Sequence, residues 1–534
     1  MAKLDRAWAH GAVHLVRASL AAALVSGTGA CTVLFNPDNI DRDGGVPGSV
    51  DAPPGSVDAP PGSVDAGPPI DSFRVDAMPG DLTLYSLSPD LVEEGSGTGR
   101  AIPVAIEGVY IADDAMVRLT GLGAGEQMLP LTVSDDGTLA AFELVVPVDI
   151  TRGEAAANEL TVTVVQSGQM ESLTLNVDWL DELVATVYGA SRNFTFDTDT
   201  LNAKFSSIRI DANMGSDGEA ALRLVATAEL VLAGVVTATG LDSTNTTGGL
   251  PGPGGCEGGD VTQNGACTPG GGMGAAITTA AGGGGGGHAS EGGMGTNTGA
   301  AVGGGVSGTE AMTDLADEHG NGGGGGGDAG SGNGGGGGGG GGVIELTSLG
   351  TFRIESNGRL SVQGGDGGSC GGGGGNNGGG GGGSGGAILL RSAQPISGGT
   401  SGTLMTLDGG QGGATSCGGQ GGAGAPGRAR VDAVTLPNAT VGASPFHGAV
   451  LDPATPRIVR EAVLPATVRG GANKTYAVIS PGTTTPQAVT LNGSGSGTKN
   501  VTLLPGVNRV CVLMTQTDVP GGDDENCLDV AYVP

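Results

Sequence analysis

From about Asp81 to Leu183, apolar and polar residues alternate in short runs. They are LTLYSL at 82–87, IPVAI at 102–106, MVRLTGL at 116–122, AAFELVVPV at 140–148, ELTVTVV at 159–165 and LTLNVDW at 173–179. Successive side chains of a strand point to opposite faces, so this period of two predicts half-buried strands. Turn signals separate the runs: Ser88-Pro89, Gly95-Ser96-Gly97 and Asp135-Asp136-Gly137. Short strands at this spacing predict a β-sandwich over 81–183. The same alternation returns over 456–534, in TYAVIS at 475–480, QAVTL at 487–491, KNVTLL at 499–504, RVCVLMTQ at 509–516 and CLDVAYV at 527–533. It predicts a second small β domain.

Between them, over 184–440, strand-like runs recur at a spacing. FSSIRIDA stands at 205–212, ALRLVA at 221–226 and ELVLAGVVTATG at 229–240. GGVIELTS at 341–348 and GGAILLRS at 385–392 lie 44 residues apart, followed by the matching VQGGDGG at 362–368 and LDGGQGG at 407–413. RARVDAV at 428–434 is a further remnant. A fixed period of short strands is the signature of a solenoid, in which one rung cannot bury its face but stacked rungs share a core. In Thr351–Glu355, Phe352 and Ile354 are expected to point inward and Arg353 and Glu355 outward.

Glycine changes this picture. There are 112 glycines in 534 residues, bunched in runs such as Gly282–Gly287, Gly322–Gly327, Gly334–Gly342 and Gly378–Gly383. Such runs have no side chains to bury and lose the most backbone entropy on ordering. They form either flexible insertions or a packed array of extended helices with three residues per turn. Their recurrence in register with the rungs favours packing. The fold expected is therefore all-β: two sandwiches flanking a glycine-rich parallel β-helix or solenoid-like domain.

The N-terminal 80 residues read differently. Lys3, Arg6 and Arg17 precede the apolar stretch Ala18–Val25, and small residues follow up to Cys31. This is the layout of a secretory signal over 1–30, too short to span a bilayer. SGTGAC resembles a bacterial lipobox, with Gly29 and Ala30 before the cysteine and Thr28 where Leu is usual. The resemblance implies lipidation at Cys31 and a membrane partner through that anchor. After it come GSVDAPP, GSVDAPP and GSVDAGPP, so 31–80 is expected to be a disordered, partly extended tether.

Two further resemblances concern the flanking domains. Leu87-Ser88-Pro89, Glu94-Gly95 and Ile106-Glu107-Gly108 resemble the IPT/TIG immunoglobulin-like family, although Val109-Tyr110 stand where Asn/Phe is common. LLPGVNRVCVL, with Pro505, Gly506 and Asn508 at its turn, resembles the end of bacterial Ig-like domains. Both resemblances imply spacer or binding modules and no enzyme.

Charge and cysteines narrow the setting. Net charge is −31, and no lysine lies between Lys204 and Lys474. That balance argues against a nucleic-acid partner, which needs a basic stripe. Beyond Cys31 the cysteines are Cys256, Cys267, Cys370, Cys417, Cys511 and Cys527, an even number suited to an oxidising compartment. Spacing alone leaves 15 connectivities open. Neighbour pairing is the simplest: Cys370 and Cys417 follow equivalent glycine motifs on consecutive rungs, Cys256 and Cys267 share one insertion, and Cys511 and Cys527 lie on adjacent strands.

No constellation rises to catalysis. His288 and His319 lie near Glu291, Asp317 and Glu318, without metal-ligand spacing. Asp328, Asp366 and Asp408 are isolated, unlike a calcium-binding repeat, and Asp523-Asp524-Glu525 reads as a solvated acidic loop. GxxxxGK[ST] is absent. Glu345, Arg353, Glu355, Arg359 and Arg391 lie on candidate strands, where outward alternation accounts for them; no Ser/His/Asp arrangement is legible. The expectation is an exported lipoprotein of the bacterial cell envelope, at the outer membrane or cell surface, without cofactor or enzymatic activity. Its role is structural or adhesive, with a surface glycan or matrix protein as possible partner. A carbohydrate-active β-helix protein and a pure spacer are the alternatives.

Overall fold

The computed structural model describes residues 80–534, except 98–100, 122–124, 147–158, 179, 181, 186–193, 198–202, 278–279, 298, 313–316, 330–332, 372–376, 415–416, 437–439, 442–443, 484 and 515–525. The leader, Cys31, the tether and the acidic run Asp523-Asp524-Glu525 lie outside the described residues. The protein is all-β: every regular element among the described residues is a strand.

Residues 80–178 form two sheets. One has the order Thr83–Ser88, Ile102–Val109, Leu139–Leu144, Thr132–Val133, all antiparallel. The other runs Leu91–Glu93, Gln169–Asp178, Glu159–Gln166, Met116–Thr120, Gln127–Pro130, antiparallel except for the first pair. The alternation seen in sequence sorts the faces. Val104, Ile106, Val117, Leu119, Phe142, Val162, Val164 and Leu175 go inward to one shared core.

The central region is built from two parallel sheets. The larger runs Glu182–Ala185, Ala203–Ile210, Leu222–Leu232, Val343–Ser348, Ala387–Ser392, Arg428–Asp432, Phe446–His447. Thr351–Ile354 joins it beside the far half of Leu222–Leu232. The smaller runs Phe194–Asp197, Met214–Asp217, Val235–Thr237, Arg359–Ser361, Thr403–Thr406, Thr440–Val441. Register is kept from rung to rung: Leu222, Ile344, Ile388 and Ala429 stand in one row, and Leu224, Leu346, Leu390 and Val431 in another. These rows, with Phe352, Ile354, Leu360, Val236 and Met405, fill a single core between the sheets. Arg353 is exposed, as alternation requires.

The glycine runs leave this region and pack against one another. In Gly334–Gly342 the outlook of the backbone repeats every three residues. A Cβ on Gly335, Gly338 or Gly341 would strike the carbonyl oxygens of Gly368, Gly365 and Val362. One on Gly336, Gly339 or Gly342 would strike those of Thr247, Leu250 and Pro253, and one on Gly337 or Gly340 those of Gly323 and Gly320. All these approaches are closer than the 3.0 Å below which real Cβ atoms are essentially never found. Partner numbers that fall mark antiparallel neighbours, and numbers that rise mark parallel ones. The N–H groups follow the same period: Gly335, Gly338 and Gly341 donate to the oxygens of Gly378, Gly381 and Ser384, at 2.9, 2.8 and 2.9 Å.

This is a lattice of extended three-residue-per-turn chains, the alternative that the register of the insertions favoured. Its energetics explain why it hangs on a β framework. A net backbone hydrogen bond contributes about 1 kcal/mol, while fixing one residue's backbone costs roughly 1–2 kcal/mol. The array does not cover its own ordering; the apolar core holds its roots in register.

Residues 449–534 form two more sheets. One is Ala449–Leu451, Val463–Gly470, Ser496–Thr502; the other is Ile458–Val459, Cys527–Tyr532, Gly506–Leu513, Thr475–Ile479, Gln487–Thr490. Leu464, Val468, Tyr476, Val478, Val510 and Val530 fill the core between them. Although far apart in sequence, the first and last modules meet. Ala141 shares an apolar cluster with Ala531 and Val533, Asp135 N–H donates to Pro534 O at 3.1 Å, and Arg460 donates to Val133 O at 2.7 Å. The modules flank the central region along the chain and lie side by side in space.

Candidate functional site

Functional chemistry needs polar side chains held in place, and three groups of them lie in or on the glycine array and its supporting sheet. The first is an ionic ladder on the outward face of the larger parallel sheet. Rung register places Arg223 beside Glu345, and Arg391 beside Asp432. Arg223 Nε donates to Glu345 Oε2 at 2.6 Å, and Arg391 Nη1 to Glu345 Oε1 at 3.1 Å. Arg391 Nε lies 3.5 Å from Asp432 Oδ2, which also pairs with Arg430 Nη2 at 2.6 Å. Arg430 continues to the carbonyls of Ala311 and Met312, both at 3.0 Å.

Outward alternation predicts that Glu345 and Arg391 are solvated, and here the structure differs. Glu345 is 1% exposed and Asp432 0%. Met312 covers this face and clusters with Val343, Ala387 and Leu389, so the outward side of the sheet is a second interior. Charges there need partners, because an unpaired buried charge is costly, and the ladder supplies them. Arg353 and Arg359 are exposed and Glu355 is half-buried, with Arg353 and Arg209 as its partners.

The second group is an open groove whose lining includes Asp242, Asp366 and Asp408. Asp242 Oδ1 accepts the N–H of Asp366 at 2.7 Å, and Asp366 Oδ1 accepts that of Gln411 at 2.7 Å. The carboxylates of Asp242 and Asp366 each close the backbone of the following segment. That role explains the aspartate in the otherwise glycine-rich turn 362–368, whereas Asp408 joins through its backbone oxygen, which accepts the N–H of Gly364 at 3.0 Å. Asp328 lies elsewhere, bridged to Asn377.

The third group is inside the array. His288 and Glu318 are both fully buried, with Nε2 and Oε2 3.4 Å apart. His288 Nδ1 lies 2.8 Å from Gly385 O, and a carbonyl can only accept, so that nitrogen carries a proton. The other ring nitrogen, Nε2, faces the Glu318 carboxylate. Glu318 also accepts from the N–H and hydroxyl of Thr309, and Arg428 Nη2 donates to His288 O at 3.2 Å. Asn321, equally buried, donates to Gly287 O and to Ser307 Oγ. The cluster ties together glycine segments that have no side chains of their own. Glu291 and Asp317 are exposed and take no part.

Beside it stand Cys256, Cys267 and His319. The Cys256–Cys267 disulfide closes a separation of 11 residues with a Cα–Cα distance of 6.0 Å. His319 Nδ1 lies 3.4 Å from Cys256 Sγ, and the three potential ligand atoms are within 4.8 Å of one another. Burial, and the neighbouring His288, hold the His319 imidazole below the usual histidine range.

No protein-family model and no curated protein matches the chain.

The site must therefore be read from its own chemistry. Disulfides also join Cys370 to Cys417 and Cys511 to Cys527, the neighbour pairing preferred among the open connectivities. The histidine cluster that sequence spacing could not support turns out to be two things: a buried clamp at His288 and a sulfur neighbour at His319. Sequence reading missed the second because Cys256 and His319 are 63 residues apart. No local signal marks this approach, which rests on the pairing of two glycine segments through the Cys256 N–H bond to Gly320 O at 3.0 Å.

Proposed function

We propose that this chain is an exported surface lipoprotein, anchored through Cys31, whose described part is a rigid structural display body. In this reading 1–30 is a signal peptide and 31–80 a tether that gives reach. An IPT/TIG-like module at 81–183 and a bacterial Ig-like module at 456–534 accompany a β-solenoid at 184–440. The parallel rungs in constant register support the solenoid, and the paired antiparallel sheets support the two modules. The observation that carries the proposal is the glycine lattice. Its residues face backbone on several sides and present almost no side-chain chemistry, while the buried ionic groups serve to fix segments in place. Rigidity, rather than turnover, is what such a construction supplies. The Cys31→Ser variant is expected to move from the membrane fraction to the soluble one. Retention in the membrane fraction under high salt would sink the lipid-anchor reading.

An adhesive role is favoured by one further observation. Met273, Met294 and Val302 are exposed, on three neighbouring segments at the array's margin: Met273 N–H donates to Val302 O at 3.1 Å, and 292–295 runs against 301–304. Apolar side chains in a row on an otherwise glycine surface suit contact with a partner. A glycan and matrix-protein binding screen separates adhesion from pure spacing. Binding lost in the M273S/M294S/V302S variant supports adhesion, and no binding to any surface leaves the display role alone.

A further inference from the structure

Among the described residues, one disulfide has an imidazole nitrogen against a sulfur, that of Cys256 and Cys267. We propose that Cys256, Cys267 and His319 form a redox-gated site for a thiophilic d10 cation, closed while the disulfide stands and opened by a dithiol reductant. Two thiolates and one imidazole are the donor set that soft and borderline cations such as Zn(II) or Cu(I) select.

Two of the three donors sit on the rigid array. Cys256 N–H donates to Gly320 O at 3.0 Å, and Cys256 O accepts the N–H of Gly340 at 2.8 Å. Gly320, next to His319, donates to Gly341 O at 3.0 Å. Cys256 and His319 therefore stand on adjacent, mutually bonded segments, with Sγ and Nδ1 already 3.4 Å apart. Cys267 belongs to a surface turn: Ala266, Thr268 and Pro269 are exposed, and Cys267 itself has φ +69°. A left-handed backbone at a non-glycine residue is held by its surroundings, and the short bridge to Cys256 is part of them. Cutting that bridge removes the covalent tie between the turn and the array and leaves the Ala266 N–H bond to Glu257 O, at 2.9 Å, to keep Cys267 near the site. The two sulfurs need to part by only about 2 Å to place each about 2.3 Å from one ion, with Nδ1 about 2.0–2.1 Å away. Cys256 is buried while Cys267 and His319 are half-buried, so the site lies at the edge of the array.

The chemistry balances. A thiolate of the dithiol attacks Sγ of Cys267, the less buried of the two cysteines. The S–S bond breaks, and Cys256 leaves as a thiolate beside His319. The second thiol of the reductant displaces Cys267 and closes the reductant's own disulfide. Two electrons and two protons have then passed to the protein as two thiols. Binding a divalent cation forms two metal–sulfur bonds and one metal–nitrogen bond and releases those two protons to solvent. The disulfide form of the same dithiol, reacting in the reverse direction, takes the two electrons back, restores the Cys256–Cys267 bond and expels the ion.

The test uses the full chain, treated with a water-soluble phosphine under anaerobic conditions, freed of reductant and titrated with Co(II) and then Zn(II). Circular dichroism is followed throughout. The expected result is a thiolate-to-cobalt charge-transfer band with tetrahedral d–d bands at one equivalent, displaced by Zn(II), and none of it in the unreduced chain. His319→Ala should weaken Zn(II) binding at least tenfold against a chromogenic chelator, and Cys256→Ser should abolish the charge-transfer band. The Cys370→Ser/Cys417→Ser variant should leave it unchanged. Equal affinity in His319→Ala, a cobalt spectrum without the thiolate band, or loss of the β signal on reduction before metal is added would each overturn the proposal.

Discussion

Replacing Gly338 by alanine isolates what the glycine lattice requires. The added Cβ would fall on Gly365 O, about 1 Å inside the closest approach that Cβ atoms tolerate. Backbone cannot rotate away as a side-chain tip can, so the two segments must part. Parting them breaks at least two bonds that join them, Gly365 N–H to Gly339 O and Gly368 N–H to Gly336 O, both 2.8 Å. Each buried group left unpaired costs about 1–3 kcal/mol, while alanine stiffens the unfolded chain and returns about 0.4–1 kcal/mol. The net expectation is a loss of roughly 2–5 kcal/mol. Hydrogen exchange read by mass spectrometry over 333–342 and 362–368, with urea denaturation, measures it. Gly305→Ala is the internal control, because the nearest atom to its Cβ is Pro269 O at an ordinary 3.4 Å. Gly493→Ala, with nothing within 4 Å, is the external one. If Gly338→Ala and Gly305→Ala show the same exchange protection and the same urea midpoint, close packing is not what the glycines are for.

Two other expectations follow from buried polar groups. Glu345→Gln removes the charge between Arg223 and Arg391 and should cost about 3–5 kcal/mol in urea denaturation; a change below about 1 kcal/mol would show that the ladder is solvated like a surface pair. The buried Tyr476 hydroxyl donates to His447 O at 2.6 Å and accepts from Gly471 N–H at 3.0 Å, and burial pushes its ionisation above the ordinary tyrosine value of 10.0. The unfolded chain therefore loses this proton first: the contribution is fully present below pH 10 and fades as pH climbs through the folded value. Tyr476→Phe should flatten the fall of the urea midpoint between pH 9 and 11, and an unchanged slope would assign that fall to other groups.

Much of this architecture is written locally. A period of two places Val162 and Val164 inside and Arg353 outside without reference to any partner, because strand geometry alone sets the alternation. The 44-residue repeat likewise predicts that Val343–Ser348 and Ala387–Ser392 pair in register, and they do. Neighbour pairing of the cysteines is legible for a related reason: each pair sits in one loop, on one hairpin or on consecutive rungs. What lies between the strands is not legible in the same way. A run of identical glycines carries no register, so nothing in Gly334–Gly342 tells that Gly338 meets Gly365 while Gly339 meets Leu250. Only the anchoring of both ends of each run in the β framework fixes that choice. The same closure decides burial. Glu345 and Arg391 occupy outward positions, as their sequence places them, yet the chain around Met312 returns over that face and takes them out of water. It also brings Cys256 to His319 and the first module to the last. Sequence by itself determined the longer alternating strands and which way their side chains point, since those follow from the dihedral geometry of a few consecutive residues, while short strands such as Met214–Asp217 and Thr403–Thr406 are set by their neighbours in the sheet. Which surfaces meet was decided by the tertiary structure, because contacts between distant segments depend on how the whole chain closes on its core.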